Sequence, residues 1–95
     1  MTENPTPIEK RDLLILIDKL IEALEMAGEN SNDYKEIKKS KNIILNNDTR
    51  SIKKIKQHMF FDFRTIEDKM MHDISVNKAV DDICEFLDNH KKFST

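Results

Sequence analysis

The stretch TPIEKRDLLILIDKLIEALEMAG, residues 6–28, decides the fold class. Leu13, Leu16, Ile17, Leu20, Leu24 and Ala27 recur at the spacing of one helical face, and Leu14 and Ile21 widen the stripe. Thr6 offers an N-cap oxygen. Pro7 suits the first turn, where its missing N–H has no helical partner to lose, and Glu9 and Lys10 follow. Gly28, the only glycine in the chain, stands just past the last periodic residue, where a left-handed residue closes a helix. The pattern predicts an amphipathic helix of about twenty residues that must bury one side against other helices.

The rest of the chain repeats that logic. Ser31 or Asn32 can cap a second helix, with Asp33 and Glu36 in its first turn and Tyr34, Ile37, Ile44 and Leu45 on its inner side. The Asn46-Asn47-Asp48 run ends it. Asp48 or Thr49 then caps a third helix that buries Ile52, Ile55 and Met59 while Lys53, Lys54 and Lys56 lie outward or along the rim. A break is expected near Phe61 to Thr65, with Thr65 capping a short restart that carries Ile66, Met70 and Met71. Ser75 is expected to cap the last helix, whose stripe is Val76, Ala79, Val80, Ile83, Cys84 and Leu87. No sustained alternation and no Asn-Gly or Asp-Gly turn marks a strand. The fold class is therefore all-α, an antiparallel bundle of four to five helices with short loops.

Ninety-five residues suit one such domain spanning 1–95, with residues 1–6 as a flexible lead-in. A core of that size supports roughly 5–10 kcal/mol of net stability. The single cysteine, Cys84, cannot form an internal disulfide, which fits a reducing compartment. The opening residues lack the basic-then-apolar layout of a signal peptide, and LLILI (13–17) falls far short of the ~20 apolar residues that span a bilayer. A cytoplasmic protein without a membrane role is expected.

The net charge of −2 conceals an asymmetry. Between positions 35 and 56 stand eight basic residues (Lys35, Lys38, Lys39, Lys41, Arg50, Lys53, Lys54 and Lys56) against Glu36 and Asp48, a local +6. Elsewhere the chain carries eight basic and sixteen acidic residues, a net −8. Such polarity speaks to partners, not to fold.

No catalytic, cofactor or metal constellation stands out. His58 and Asp62 are four apart and His72 adjoins Asp73, but a structural zinc site takes four closed ligands, usually with cysteine. Cys84 lies on an apolar stripe, where a thiol acts as a small hydrophobe rather than a nucleophile. Asp81-Asp82 and Glu67-Asp68 are sequence neighbours and so diverge on a helix. One glycine rules out a Gly-rich phosphate loop. A binding protein is expected, not an enzyme, and no cofactor is implied.

Two surfaces compete for the binding role. Lys35, Lys38, Lys39, Arg50, Lys53, Lys54 and Lys56 could hold nucleic-acid phosphates, although no recognition motif accompanies them. Alternatively, acidic residues from the 62–73 region could steer a basic protein partner. Helical phasing cannot place Met59, Phe60, Phe61 and Phe63 on one stripe, because neighbours diverge by about 100°. Met59 and either Phe60 or Phe63 are assigned to the core and Phe61 to the surface.

From Leu13 to about Met71 the chain resembles a bacterial family of small helical proteins of unknown function. LIDKLIEALEMAG matches its Leu-rich first helix ending in Ala-Gly, and Tyr34 stands where the family opens its second helix with Trp-Ala. NNDTRSIKKI fits its loop and third helix, and FFDFRTIEDKMM occupies a turn that the family builds with glycines. In size, helicity and acidity the chain is also similar to immunity proteins of bacterial toxin systems, including contact-dependent growth inhibition. That resemblance implies a cytoplasmic protein that neutralises a cognate toxin, often a nuclease, by covering its active site or blocking substrate entry. The toxin-binding residues expected on this reading are Phe61, Asp62, Phe63, Glu67, Asp68 and Asp73. The alternative is a small nucleic-acid-binding regulator using the basic 35–56 region.

Overall fold

A computed structural model describes residues 5–69 and 73–93 of the chain. Among them are four α-helices: α1 (Pro7–Met26), α2 (Lys35–Leu45), α3 (Ile55–Lys69) and α4 (Ile74–Asn89). Single 3-10 turns at Ser31–Asp33, Ile52–Lys54 and Lys91–Phe93 punctuate the connections. The helices form an antiparallel, all-α bundle with no strand among the described residues. α1 packs along α4 and α2 along α3, whereas α3 and α4 touch sparsely. At one end the Glu9 carboxylate accepts from Lys92 Nζ at 3.1 Å and Asn47 Oδ1 from Lys10 Nζ at 3.2 Å. The start of α1, the close of α2 and the end of the described chain therefore share one pole.

α1 forms as its sequence dictates. The Thr6 hydroxyl accepts from Glu9 N at 3.2 Å while the Glu9 carboxylate accepts from Thr6 N at 3.0 Å, a reciprocal capping box. That bond from the Thr6 backbone, with Lys92 alongside, holds the Glu9 carboxyl below the usual carboxylate range. Pro5 is buried and Thr6 is engaged by its capping bonds. At the other end Gly28 takes φ +87°, and its N–H and that of Glu29 donate to the Glu25 and Leu24 carbonyls. This is the Schellman closure that favours glycine. α2 ends the same way on Asn47 at φ 53°, with Asn47 N–H to Ile44 O and Asp48 N–H to Ile43 O. Asparagine tolerates the left-handed region better than other side-chain-bearing residues.

The start of α2 departs from expectation. Asn30, not Ser31 or Asn32, caps the 3-10 turn, and Tyr34 occupies the N-cap position of α2 with its hydroxyl donated to Glu29 and no capping bond of its own. The missing acceptor comes from another helix. Asp62 of α3 places Oδ2 2.9 Å from Ile37 N and also accepts from the Glu36 N–H. Leu45, expected inside, is exposed, because Ile43 and Ile44 already fill the arc that faces the core and the next residue rotates out.

α3 is also unlike the expectation. It runs unbroken through Phe61 to Thr65, so Thr65 lies within a helix and caps no restart. Met59, Phe63 and Ile66 carry the buried stripe straight through the segment at four- and three-residue steps. Met70, Met71 and His72 lie outside the described residues. Ahead of α3, Asp48 Oδ1 accepts from Arg50 N and Ser51 N and closes the turn before the 3-10 segment. That segment's own N-cap is Ser51 without a side-chain bond, so neither Asp48 nor Thr49 caps α3 itself. The bond from Ser51 is the main reason the Asp48 carboxyl sits below the usual range. α4 begins on Asp73, not Ser75: Asp73 Oδ1 accepts from Val76 N at 2.9 Å. A carboxylate two residues earlier supplies a strong cap and suits the positive end of the helix dipole.

One continuous core joins all four helices: Leu13, Ile17, Leu20 and Leu24 of α1 meet Ile37 and Ile44, Ile55 and Met59, and Ile83 and Leu87. Tyr34 and Phe93 plug its two ends. The radius of gyration, 12.7 Å, is close to the ~12 Å of a fully compact chain this long. Among the described residues no helix is long and apolar enough to cross a membrane.

Candidate functional site

The outer face of α3 carries an exposed large aromatic side chain, and the local sequence explains why. Ile55, Met59, Phe63 and Ile66 commit one face of the helix to the core. Phe60 is half-buried at the edge of that face, its ring 5.7 Å from Phe63 and beneath Lys56 Nζ at 5.4 Å. Phe61 then has nowhere inward to go and stands 67% exposed. Helical periodicity sets Gln57, Arg64, Thr65 and Asp68 around it, and Gln57, Arg64, Glu67 and Asp68 are all exposed.

The six residues expected to face a toxin thus divide. Phe61, Glu67 and Asp68 are all exposed on α3, Asp68 in line with Phe61 and Glu67 about a third of a turn round, on the wall that faces α4. Asp62 and Phe63 do not: Asp62 is 5% and Phe63 4% exposed. Phe63 completes the core stripe, and Asp62 is withdrawn to cap α2, so neither is presented to a partner. Asp73 is half-buried and its carboxylate is occupied at the start of α4.

Asp62 is the residue whose role the sequence reading missed. Burial is the main influence on its carboxyl and raises the pKa, with the neighbouring Glu36 charge adding to this and the two N–H donors opposing it. His58 Nδ1 lies 2.8 Å from Glu36 Oε2 beside it, without the geometry of a directed hydrogen bond. A signal was present: Asp62 falls three residues after Met59 and four before Ile66, so a carboxylate occupies a core-stripe position. α2, meanwhile, opens on Tyr34-Lys35 with no capping side chain of its own.

The basic residues divide as well. Lys41 pairs with Asp18 of α1 at 2.7 Å and Lys56 with Asp88 of α4 at 3.5 Å. Lys38 donates to Asn32 Oδ1 at 2.6 Å. Among the described residues Lys35, Lys39, Arg50, Lys53 and Lys54 form no salt bridge, although the Arg50 charge acts on the nearby Asp48 carboxylate.

A groove of about 250 Å³ opens between α3 and α4, lined by Phe60, Phe63, Arg64, Glu67, Val80 and Cys84. Cys84, expected to be buried, is half-buried on this wall. Burial, then the carboxylates of Asp81, Asp88 and Glu67, push its thiol pKa upward, which disfavours the nucleophilic thiolate. His90 is stacked on Phe86 at 4.0 Å with Nδ1 2.9 Å from the Phe86 carbonyl oxygen. Among the described residues no three His, Cys, Asp or Glu side chains are grouped to hold a metal ion. What these surfaces offer chemically is contact: an aromatic knob with Arg64 and Asp68 beside it, and a separate run of cations outside any salt bridge among the described residues. No family model, no curated protein and no solved structure matches the chain.

Proposed function

We propose that the chain is a non-enzymatic immunity-type inhibitor that binds a cognate toxin domain and occludes its active site or substrate entry. The observation that supports this reading is Phe61. A phenylalanine 67% exposed in the middle of a helix whose core face is already filled contributes little to the fold. Buried at the centre of an interface, an aromatic of this size is the kind of side chain that dominates binding energy. Glu67 and Asp68 one to two turns along the helix supply charge that speeds encounter with a basic surface, such as a nuclease domain. Arg64 beside them adds a donor that can fix register.

Co-expression with the product of the adjacent upstream gene tests the function: the wild-type chain is expected to restore growth, and persistent toxicity would refute it. The surface is tested separately. Phe61→Ala is expected to leave the denaturation midpoint nearly unchanged while weakening toxin binding by about 2 kcal/mol, roughly thirtyfold. Full protection by a Phe61→Ala, Glu67→Lys, Asp68→Lys triple variant would place the interface elsewhere.

A further inference from the structure

The outer face of α2 is a second surface, distinct from the α3 face and independent of the toxin reading. The inner side of this helix is spent on Ile37, Ser40, Ile43 and Ile44. Its solvent side carries Lys35, Lys39, Asn42 and Asn46 in sequence steps of four, three and four residues, so they form one stripe. Asn32 and Lys38 border the stripe, and the side chains enclose a shallow groove of about 500 Å³. Beyond Asn46 the chain turns into a segment carrying exposed Arg50 and Lys54 and half-buried Lys53. The bond from Arg50 N to the groove-wall carboxylate of Asp48 sets the start of that segment beside the Asn46 end of the groove. The layout is a cationic cluster, two amide side chains, then a second cationic cluster, over a helix about 16 Å long.

Charge makes this face unlike the rest of the molecule. The one carboxylate on the groove wall, Asp48, is engaged by the Arg50 and Ser51 backbone N–H groups. Lys35, Lys39, Lys53 and Lys54 are left without a carboxylate partner among the described residues, and Arg50 forms no salt bridge beyond the influence of its charge on Asp48. Among the described residues the salt bridge of an α2 lysine is at the α1 border, where Lys41 meets Asp18.

We propose that this face binds duplex DNA, the two cationic clusters, one toward each end of the helix, resting on phosphates and Asn42 and Asn46 facing the base edges between them. The major groove, about 12 Å wide, admits an α-helix, and a helix of this length lying obliquely across it brings cations at its two ends to phosphates on opposite rims. Amide side chains both donate and accept, which matches the mixed donor and acceptor pattern of base edges. No aromatic residue lines the groove, so unpaired bases would find no stacking platform, which disfavours single strands. The α3 surface plays no part.

The test is fluorescence anisotropy of a labelled mixed-sequence duplex of about 20 base pairs, titrated with the full chain at several salt concentrations. Five unpaired cations predict a log–log salt slope of about −4 to −5. Lys35→Glu with Lys39→Glu is expected to weaken binding at least tenfold and to flatten the slope by about 2. Arg50→Glu with Lys54→Glu is expected to do the same from the other cluster, and Phe61→Ala to do nothing. All these side chains are at the surface, so circular dichroism melts should match wild type. Absence of binding at about 20 mM salt, tighter binding to the single strand, or unchanged affinity in both double variants would overturn the proposal.

Discussion

At the scale of single residues, Asp62 is the side chain on which most depends. Its carboxylate takes two N–H groups at the start of α2 and is nearly sealed from water. Asp62→Ala leaves those donors buried without a partner and is expected to cost about 1–3 kcal/mol. Asp62→Asn keeps an acceptor oxygen and removes the buried charge, so it should cost less than the alanine variant. The pH dependence separates the two contributions. Because the folded-state pKa is raised, the native protein binds this proton more tightly than the unfolded chain does. The unfavourable contribution of the charge is present above that pKa and fades as pH falls through it. Urea denaturation across the pH range below 7 should therefore show wild type gaining on Asp62→Asn as the medium is acidified; a gain in the other direction would contradict the burial argument. The assignment of Phe61 outward was legible because neighbouring residues on a helix diverge by a fixed angle. The capture of Asp62 was not, since its partners are 25 residues away in sequence and local pattern carries no such information.

At the scale of elements, the helix ends were the most legible feature where their chemistry is local. Thr6, Pro7, Glu9 and Gly28 act within a few residues of themselves, and the structure uses each as its position suggests. Gly28 has nothing within 4 Å of the place a Cβ would occupy. Its substitution by alanine should thus cost backbone strain alone, about 1–2 kcal/mol, read as a lowered urea midpoint with an unchanged slope. Asn47→Gly, at the matching position of α2, is eased by the same physics but gives up the bond from Lys10. The break expected inside α3 shows the converse. Thr65-Ile66-Glu67-Asp68 has the composition of a start signal, yet Met59, Phe63 and Ile66 hold the segment against the core. Tertiary burial outweighs a local capping preference of about 1 kcal/mol.

At the scale of the whole molecule, the all-α bundle followed from periodicity, while the pairing of α1 with α4 and α2 with α3 came only from the structure. Surface ion pairs contribute little to it: Lys41→Met, which breaks the contact with Asp18, should move stability by less than about 1 kcal/mol. Ile66→Ala, in a fully buried position shared by the joined core, is expected to cost about 2–5 kcal/mol, much of the total, as read by thermal or urea unfolding. The borrowed cap has a further consequence, in the order of events during folding. An isolated helix of 11 residues is marginal in water, and α2 lacks a nucleating cap until residue 62 has been synthesised and α3 has docked. The two helices must then appear together as one cooperative unit, and the exchange of the Ile37 amide proton becomes a clock for the docking of α3, slow while the pair is closed and fast whenever it parts.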